Sequence, residues 1–276
     1  MNVSTTVSKI NWSRFWVASI LMGSSLFSNK ITLNANEWTS KNGYNNCNFF
    51  TNGENCCLSR NLNKNSVVIF DVGANIGDWT LMALKYAPTA QIYAFEPHPE
   101  IFKVLLSKSR NMNIKCLPFA LSDQEGLADF WEWGDNTNVE KSGLNGLFYR
   151  PILKEMFSQN PGMIQVYKLT LDDICEKNNV KHIDYLKIDT EGNEYFVLLG
   201  ANRMISNRSI EIIQFEYGGC YIDSNTRLET VYKFLTERGY DIFRILPETL
   251  LPITNWDPKL ENFQYSNYIA ILNKKL

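Results

Sequence analysis

The chain has 276 residues, of which 45% are hydrophobic and 13% aromatic, so it can build one sizeable core but not two full domains. Its 27 basic and 29 acidic residues give a formal charge of −2, which excludes the basic footprint of a nucleic-acid-binding protein and favours a small or neutral substrate. Six cysteines in a chain of this length exclude a disulfide-stabilised scaffold.

The first 65 residues are predicted to precede the folded domain, which is assigned to residues 66–276. Arg14–Phe27 is an apolar run, well short of the roughly 20 residues that span a bilayer. A cleaved signal, a short membrane anchor and an accessory helix all fit this layout. An accessory or targeting segment is favoured over a membrane span, and a cytoplasmic location is favoured. Residues 28–65 are rich in Asn, Ser, Thr and Gly and are predicted to form an irregular lead-in.

Three cysteines of this lead-in lie together in the stretch NNCNFFTNGENCC. A metal site or a local disulfide fits such a cluster, but the stretch has no C-x-x-C pair and no nearby histidine. Cys47, Cys56 and Cys57 are therefore interpreted as reduced thiols in a loop. Cys116 and Cys175 lie inside apolar patterns and are predicted to be small core residues.

From Val67 onward, short apolar runs alternate with longer segments whose apolar residues are spaced by three and four. The near-continuous apolar character of the runs predicts a parallel sheet with helices on both faces, and the last two runs are predicted to pair antiparallel. The predicted fold is a doubly wound α/β domain. The sheet is predicted to be mostly parallel and seven-stranded; it begins with VVIFDVG, QIYAFEP and IKCLPFALS, has IDYLKIDTEG as a central strand and ends with YDIFRIL and SNYIAILN.

The first strand ends in the turn DVGANIG, from Asp71 to Gly77. Ligands of open α/β sheets bind beyond the carboxyl ends of the strands, so this turn is expected to border a ligand. Gly73 allows a close backbone approach, and Gly77 begins the next helix without a Cβ. The spacing is neither G-x-G-x-x-G nor a P-loop. The Asp71 carboxylate would repel a phosphate but attract an ammonium or a sulfonium.

An acidic residue, Glu96, ends the second strand in the stretch AFEPHP. At this place in a nucleotide-binding sheet, a carboxylate can accept hydrogen bonds from both ribose hydroxyls. A helix cap or a solvated turn is the alternative for a single strand-end acid. Together with the first turn, Glu96 predicts an adenosine-containing ligand with a positively charged tail.

An insertion from Asp123 to Met163 follows the third strand, and the stretch MIQVYKL then predicts a strand that enters a short helix. The insertion is rich in aromatic residues and glycine, which is typical of a mobile lid over an acceptor pocket. A hairpin whose aromatic residues are core is the alternative. The aromatic residues concerned are Trp131, Trp133, Phe148 and Tyr149.

Three carboxylates end the central strands KIDTEG and QFEY. Asp189 is the preferred base or acceptor-orienting group and Glu216 its support, whereas Glu191 is either a third site residue or a helix cap. Lys187 shares a strand face with Asp189 and can offset one charge. His98 is the second choice of base, with a turn residue against solvent as the alternative.

A divalent metal held by Asp189 and Glu216 is an alternative that is not favoured.

Four stretches together resemble the FkbM family of S-adenosylmethionine-dependent methyltransferases: FDVGANIGDWT, AFEPHP, ALSDQEG and IDYLKIDTEGNEYFVLLGA. The resemblance runs from Val67 to the C-terminus and implies a Rossmann-like class I methyltransferase fold. It implies that Glu96 holds the ribose and that Ser122 and Asp123 flank the adenine, although Asp123 also fits a turn carboxylate. The residues that it places around the methionine and sulfonium are Asp71, Gly73, Asn75 and Gly77.

The predicted function is therefore transfer of a methyl group from S-adenosylmethionine to an acceptor hydroxyl. The resemblance points to an acceptor that is a sugar, a glycan or a natural-product-like small molecule, and the charge balance argues against a nucleic-acid partner. A non-catalytic cofactor-binding domain is the first alternative, because fold does not fix function. A nicotinamide-dependent oxidoreductase is the second, and the absence of G-x-G-x-x-G counts against it.

Overall fold

The computed structural model describes residues 44–62, 67–133 and 143–274. The predicted targeting segment, residues 14–27, lies outside them. Within the described residues, no helix is long and apolar enough to cross a membrane. The helices are α1 Glu54–Asn61, α2 Asp78–Tyr86, α3 Pro99–Lys108, α4 Pro151–Phe157, α5 Leu171–Lys177, α6 Glu194–Gly200, α7 Asn202–Ser206, α8 Cys220–Asp223 and α9 Leu228–Thr236.

The strands form two sheets. They are β1 Val68–Val72, β2 Gln91–Phe95, β3 Ile114–Leu117, β4 Ala120–Leu121, β5 Gly126–Glu132, β6 Gly162–Leu169, β7 Ile183–Ile188, β8 Ile210–Tyr217, β9 Tyr240–Ile245, β10 Leu250–Pro252 and β11 Ser266–Leu272. The larger sheet has eight strands in the order β10-β9-β11-β8-β7-β1-β2-β3, and the smaller has three in the order β4-β6-β5.

The larger sheet confirms the predicted mostly parallel architecture. Strands β3, β2, β1, β7 and β8 pair in parallel, whereas β11 pairs antiparallel with both β8 and β9. The eighth strand, β10, is a short edge strand that ends at Pro252, which cannot donate to a ladder. Its shortness explains why the sequence pattern gave seven strands.

The third predicted strand is divided between the two sheets. Residues 114–117 pair with β2, whereas residues 120–121 pair with β6 of the smaller sheet. Pro118 lies between the two parts and lacks the N–H that a continuous ladder needs. The strand of the MIQVYKL stretch, β6, likewise belongs to the smaller sheet.

Both faces of the larger sheet are buried. Phe70 and Leu186 pack in one cluster with residues of α5, α6 and α9, whereas Ile69 and Tyr185 pack in a second cluster with α1 and α2. Successive residues of one strand thus enter different clusters, as side chains of a pleated strand must. This double burial is the reason that the strands read as continuous apolar runs.

The interior of the larger sheet contains a polar row. Asp71 of β1 is in register with Lys187 of β7, which is in register with Gln214 of β8. Two residues further on, Glu216 of β8 is in register with Asn267 of β11. The sheet register therefore brings charged side chains from strands far apart in sequence to the same edge.

The lead-in is more ordered than its composition predicts. Its described part, residues 44–62, contains α1, whose Leu58 belongs to the cluster beneath the larger sheet. All six cysteines are free thiols; Cys47 is exposed, and Cys57 and Cys175 are buried. The tertiary contacts of an apolar face, not local periodicity, specify this short helix.

The insertion contributes to the smaller sheet, and residues 134–142 of it lie outside the described part of the chain. Strand β5 pairs antiparallel with β6, and Trp131 forms a bridge with Gly146. Trp133 is buried, and its ring lies 5.7 Å from that of Tyr149. Trp133 is thus a core residue, as the hairpin alternative expects, whereas Tyr149 is exposed.

Candidate active site

An open cavity of about 1300 Å³ lies at the carboxyl ends of β1, β2, β7 and β8. This is where a doubly wound sheet is expected to bind its ligand. Apolar residues from the lead-in, α2 and the insertion form much of the wall, among them Phe49, Phe50, Met82, Leu144 and Leu147. The polar lining includes Glu54, Asn75, Glu96, Lys187, Asp189, Glu191 and Glu216.

The turn after β1 is held in a left-handed conformation by its glycines. Gly73 has φ +80°, and a Cβ there would lie 1.8 Å from the backbone oxygen of Asp189. Gly77 has φ +87° and precedes α2, where a Cβ would lie 2.7 Å from Leu105. Both positions therefore require glycine. For Gly73 the close approach is to the end of β7 and not to a ligand.

The carboxylate of Glu96 faces this turn. It is buried and accepts hydrogen bonds from the backbone N–H of Asn75, at 3.0 Å, and of His98, at 2.9 Å. Burial raises its pKa to about 7, although the two N–H donors oppose the shift. The backbone thus orients Glu96 toward the cavity before any ligand binds.

Asp71 lies behind the turn and outside the cavity lining. Its side chain is fully buried and accepts a hydrogen bond from the hydroxyl of Thr80. The other carboxylate oxygen lies 3.2 Å from Nζ of Lys187. Asp71 therefore pairs with Lys187 of the same chain, and it does not line the cavity that the resemblance expects it to shape.

Lys187 joins the ends of β1 and β7. Its Nζ lies 3.2 Å from Asp71, 3.2 Å from Asp189 and 3.4 Å from the backbone oxygen of Gly73. Burial by itself would lower the pKa of Lys187, but the carboxylates of Asp189 and Asp71 outweigh it and raise the pKa. The buried ammonium of Lys187 therefore forms ion pairs with two carboxylates.

Asp189 and Glu216 form a carboxyl pair beside this ammonium. Burial acts to raise the pKa of Asp189, but Lys187 and a hydrogen bond from Glu216 outweigh it and lower the pKa. Burial and the charge of Asp189 hold the pKa of Glu216 well above its ordinary value. The raised pKa of Glu216 favours its protonated form, which can donate a hydrogen bond to the Asp189 carboxylate. The side chain of Asp189 is 40% exposed.

The third carboxylate, Glu191, has a separate partner. It accepts from Nη1 of Arg150 at 2.5 Å, and Nε of the fully buried Arg150 lies 3.5 Å from Asp223. Burial raises the pKa of Glu191 to about 7. Arg150 comes from the insertion, and no motif in the sequence identified it.

Glu191 does not cap α6. The carboxylate of Glu194 instead accepts from the backbone N–H groups of Thr190, at 2.7 Å, and Gly192, at 3.0 Å. Glu194, the first residue of the stretch EYFVLLGA, thus fixes the turn that carries Asp189 and Glu191. Glu194 lies in the first turn of α6, and this position could have indicated its role from the sequence.

The structure places the two predicted adenine neighbours beside the cavity and not on its lining. Ser122 is buried, and its hydroxyl donates to Asn193 at 3.1 Å. Asp123 lies 3.9 Å from Nζ of Lys168. The lining nearest to them consists of the preceding apolar residues, Phe119 to Leu121.

His98 is a buried helix cap and not a solvent-exposed turn residue. Its Nδ1 accepts from the N–H groups at the start of α3, and its Nε2 lies 2.6 Å from Glu132. Both ring nitrogens therefore have partners, and His98 is not among the described residues that line the cavity.

The carboxylates of Asp189, Glu191 and Glu216 approach within 4.8 Å of one another, a spacing that an oxygen-liganded metal requires. Asp189 already pairs with Lys187 and Glu191 with Arg150, and the pKa of Glu216 is raised, which favours its neutral form. A divalent cation would have to compete with these partners, so the residues do not fit a resident metal well.

A family model described as "Methyltransferase FkbM domain" matches residues 71–242. The 2-O-methyltransferase NoeI of Sinorhizobium fredii is 27% identical over 152 residues, which cover 52% of this chain and 61% of NoeI. The 31-O-demethyl-FK506 methyltransferase FkbM of Streptomyces tacrolimicus is 30% identical over 153 residues, 49% of this chain and 59% of that protein.

A third relative, the hexuronic acid methyltransferase AglP of Haloferax volcanii, is 24% identical over 153 residues, which cover 55% of this chain and 56% of AglP. The chain thus spans about 60% of the length of NoeI and of the Streptomyces protein.

Proposed function

The chain belongs to the FkbM methyltransferase family, and from this premise we propose that it transfers a methyl group from S-adenosylmethionine to an acceptor hydroxyl. Two of the relatives carry O-methylation in their names, and a third is named for a hexuronic acid. These names support a sugar, a glycan or a natural-product-like small molecule as the acceptor. The observation that carries the proposal is one cavity with the oriented Glu96 at one end and the ionised Asp189 at the other.

The cofactor side of the cavity fits an adenosine moiety. Glu96 presents a carboxylate whose position is fixed by two backbone N–H groups, as recognition of a ribose diol requires. The turn with Gly73, Asn75 and Gly77 would adjoin the methionine portion. In this proposal Ser122 and Asp123 act from behind the apolar lining, where Ser122 holds Asn193 in place.

Methyl transfer from a sulfonium is a displacement in which the bound cofactor supplies the reactive carbon and the protein supplies alignment. The acceptor hydroxyl must lose its proton as its oxygen bonds to the methyl carbon. Asp189 is the group that we assign to this proton, because Lys187 keeps it ionised while its side chain reaches the cavity. Glu216 supports it by a hydrogen bond, and Glu191 fixes the turn through Arg150. His98 remains the second choice of base.

The first test is calorimetric titration of S-adenosylmethionine and S-adenosylhomocysteine into the purified chain. We expect micromolar binding to the wild type and its loss in Glu96→Ala, because the alanine removes the oriented carboxylate. Glu100→Ala, an exposed acid four residues away, is the matched control and should bind as the wild type does. A folded wild-type chain that binds neither compound contradicts the proposal, and titration of NADH would then test the oxidoreductase alternative.

Three further proposals concern the identity of the methyl acceptor, independence from a divalent metal and the location of the protein in the cell. Release of S-adenosylhomocysteine in a screen of hydroxylated sugars and small molecules would identify the acceptor, whereas cofactor binding without turnover on any of them would favour a binding domain. Turnover that survives EDTA is expected. A cytoplasmic location and the absence of a nucleic-acid partner remain predictions that fractionation and a nucleic-acid-binding assay can test.

A further inference from the structure

Two aromatic rings of the cavity wall come from outside the family-matched region. The match begins at residue 71, whereas Phe49 and Phe50 of the lead-in line the cavity. Phe49 packs against the cluster beneath the larger sheet, and its ring lies 5.4 Å from that of Phe50. Phe50 is 67% exposed although it lines the cavity, so most of its side chain is open to a ligand. The lead-in therefore adds an accessible aromatic ring to the cavity.

The chain just before these rings is fixed at the β8–β11 side of the larger sheet. The backbone N–H of Asn45 donates to the backbone oxygen of Tyr265 at 2.8 Å, and the N–H of Tyr265 donates to the side chain of Asn45 at 3.1 Å. Tyr265 directly precedes β11, and its hydroxyl accepts from Asn267 at 3.2 Å. Asn267 is in register with Glu216. The lead-in thus passes the end of β8, where the carboxyl pair lies.

The order of the strands separates this side of the cavity from Glu96. Strand β2, which Glu96 follows, is two strands from β7, and β11 is two strands from β7 in the other direction. Neighbouring strands lie about 4.8 Å apart, so the end of β7 is roughly 10 Å from the ends of β2 and β11. A cofactor that runs from Glu96 toward Asp189 fills one half of the cavity. The acceptor must then reach Asp189 from the other half, which β8, β11 and the lead-in enclose.

The volume of the cavity agrees with two neighbouring ligands. It is about 1300 Å³, whereas the pocket of a single small ligand is usually about 300–1000 Å³.

The charges of the lining argue against a negatively charged acceptor. Among the described lining residues the cations are Lys187 and Lys85. Lys187 is already shared by Asp71 and Asp189, and Lys85 lies in the last turn of α2, about 10 Å along the helix from its start. The carboxyl side chains of the lining are Glu54, Asp78, Glu96, Asp189, Glu191 and Glu216. A carboxylate or phosphate on the acceptor would therefore meet Asp189 without a cation to balance it.

On the proposed function, we infer that Phe50 determines acceptor specificity: the acceptor is a neutral sugar whose ring packs its apolar C–H face against Phe50. The face of an aromatic ring is negative and attracts C–H groups, and the carboxylate of Asp189 accepts a hydrogen bond from the hydroxyl to be methylated. A hexuronic acid has the same ring but carries a carboxylate, so the site rejects it.

The test uses the chain saturated with S-adenosylhomocysteine, so that a sugar must bind outside the cofactor half of the cavity. Ligand-observed NMR titration compares the methyl glycosides of glucose and glucuronic acid, and those of galactose and galacturonic acid. The members of each pair differ in a hydroxymethyl group against a carboxylate. We expect a neutral glycoside to bind, and to bind at least tenfold more tightly than its charged counterpart.

The variants test the aromatic ring. Phe50→Ala should weaken the neutral glycoside about tenfold, whereas Phe50→Trp keeps an aromatic face and should retain its affinity. Both variants should bind S-adenosylhomocysteine within twofold of the wild type. Leu127→Ala is the matched control, because Leu127 is 65% exposed and does not line the described cavity. It should leave both affinities unchanged.

Four results overturn the inference while S-adenosylhomocysteine still binds, so the proposed function survives them. The wild type binds none of the neutral glycosides, or it binds a charged glycoside as tightly as its neutral counterpart; neither comparison needs a variant. A folded Phe50→Ala binds the neutral glycoside as the wild type does, or it weakens S-adenosylhomocysteine to the same extent. Failure of the wild type to bind S-adenosylmethionine and S-adenosylhomocysteine removes the proposed function, and this inference with it.

Discussion

The two ends of the cavity hold their carboxylates by different means. At the ends of β1 and β2, Glu96 is oriented by the backbone N–H groups of Asn75, in the turn after β1, and of His98, two residues further along the chain. At the ends of β7 and β8, Asp189 and Glu191 depend on the side-chain cations Lys187 and Arg150. Backbone donors are present whatever the neighbouring residue types, whereas a buried ion pair fails when one partner is lost. The second end is therefore the more vulnerable to single substitutions.

The largest effect is expected for Asp189→Asn. The amide keeps the size of the side chain but cannot accept the proton of the acceptor hydroxyl, so turnover should fall by about 10²–10⁴-fold. Binding of S-adenosylmethionine should persist, as calorimetry can show. Asp241→Asn, an exposed acid on β9, is the control. Unchanged turnover with intact cofactor binding would show that the assignment of Asp189 is wrong.

Lys187→Met should cause the largest loss of stability. The substitution leaves the buried carboxylate of Asp71 and its neighbour Asp189 without their shared cation, which is expected to reduce the free energy of unfolding by about 3–5 kcal/mol. Urea denaturation measures the change. Adding Asp71→Asn to this variant removes the stranded charge and should restore part of the stability. A loss below about 1 kcal/mol would contradict the role of the ion pair.

Glu96, at the β1–β2 end of the cavity, should make the free energy of unfolding depend on pH. The folded-state pKa of Glu96, about 7, lies above the ordinary value of 4.5, so the folded chain retains a proton that the unfolded chain releases. The resulting stability is fully present below about pH 4.5 and is lost as pH rises through 7, by about 3 kcal/mol for this group.

Urea denaturation at pH 5 and pH 7.5 measures this loss in the wild type and in Glu96→Gln. The variant should lose less stability over the same interval. Other buried acids contribute to the remaining slope: burial raises the pKa of Glu191 and of Glu194 to about 7 and that of Asp223 to about 6, and it also raises the pKa values of Glu54 and Glu216. Equal pH dependence in the two proteins would contradict the raised pKa of Glu96.

The smallest effect is expected for His98→Asn. Asparagine keeps a side-chain acceptor at the start of α3 and loses the contact with Glu132, so the stability should fall by about 1 kcal/mol. Turnover should stay within twofold of the wild type, because His98 does not line the described cavity. A loss of turnover greater than tenfold, at unchanged cofactor affinity, would make His98 the base.

The features predicted correctly are those in which a local pattern has one physical solution. The apolar runs could bury both of their faces only in a covered parallel sheet, and the chain forms one. The turn after the first strand was expected to border a ligand site, and Gly73 and Asn75 of that turn line the cavity. The strand-end position of Glu96 placed it at the cavity, because the carboxyl ends of parallel strands share one edge.

The features that the sequence left undetermined depend on residues far apart along the chain. Arg150 reaches Glu191 across 41 positions, and Glu54 reaches Gln214 across 160. Neither contact has a periodicity or a spacing that a sequence pattern can reveal. The partner of Asp71 was equally undetermined, because Lys187, the cation that pairs with it, lies on another strand.

By itself, the sequence determined the fold class, the family and the edge of the sheet at which the carboxylates would meet, because these follow from periodicity, turn chemistry and motif order. Only the tertiary structure decided which carboxylates face the cavity and which carry a charge there. The register of the sheet places Lys187 beside Asp71, within 3.2 Å of Asp189 as well, and burial next to Asp189 raises the pKa of Glu216. Ionisation depends on distance and burial, and folding alone sets both.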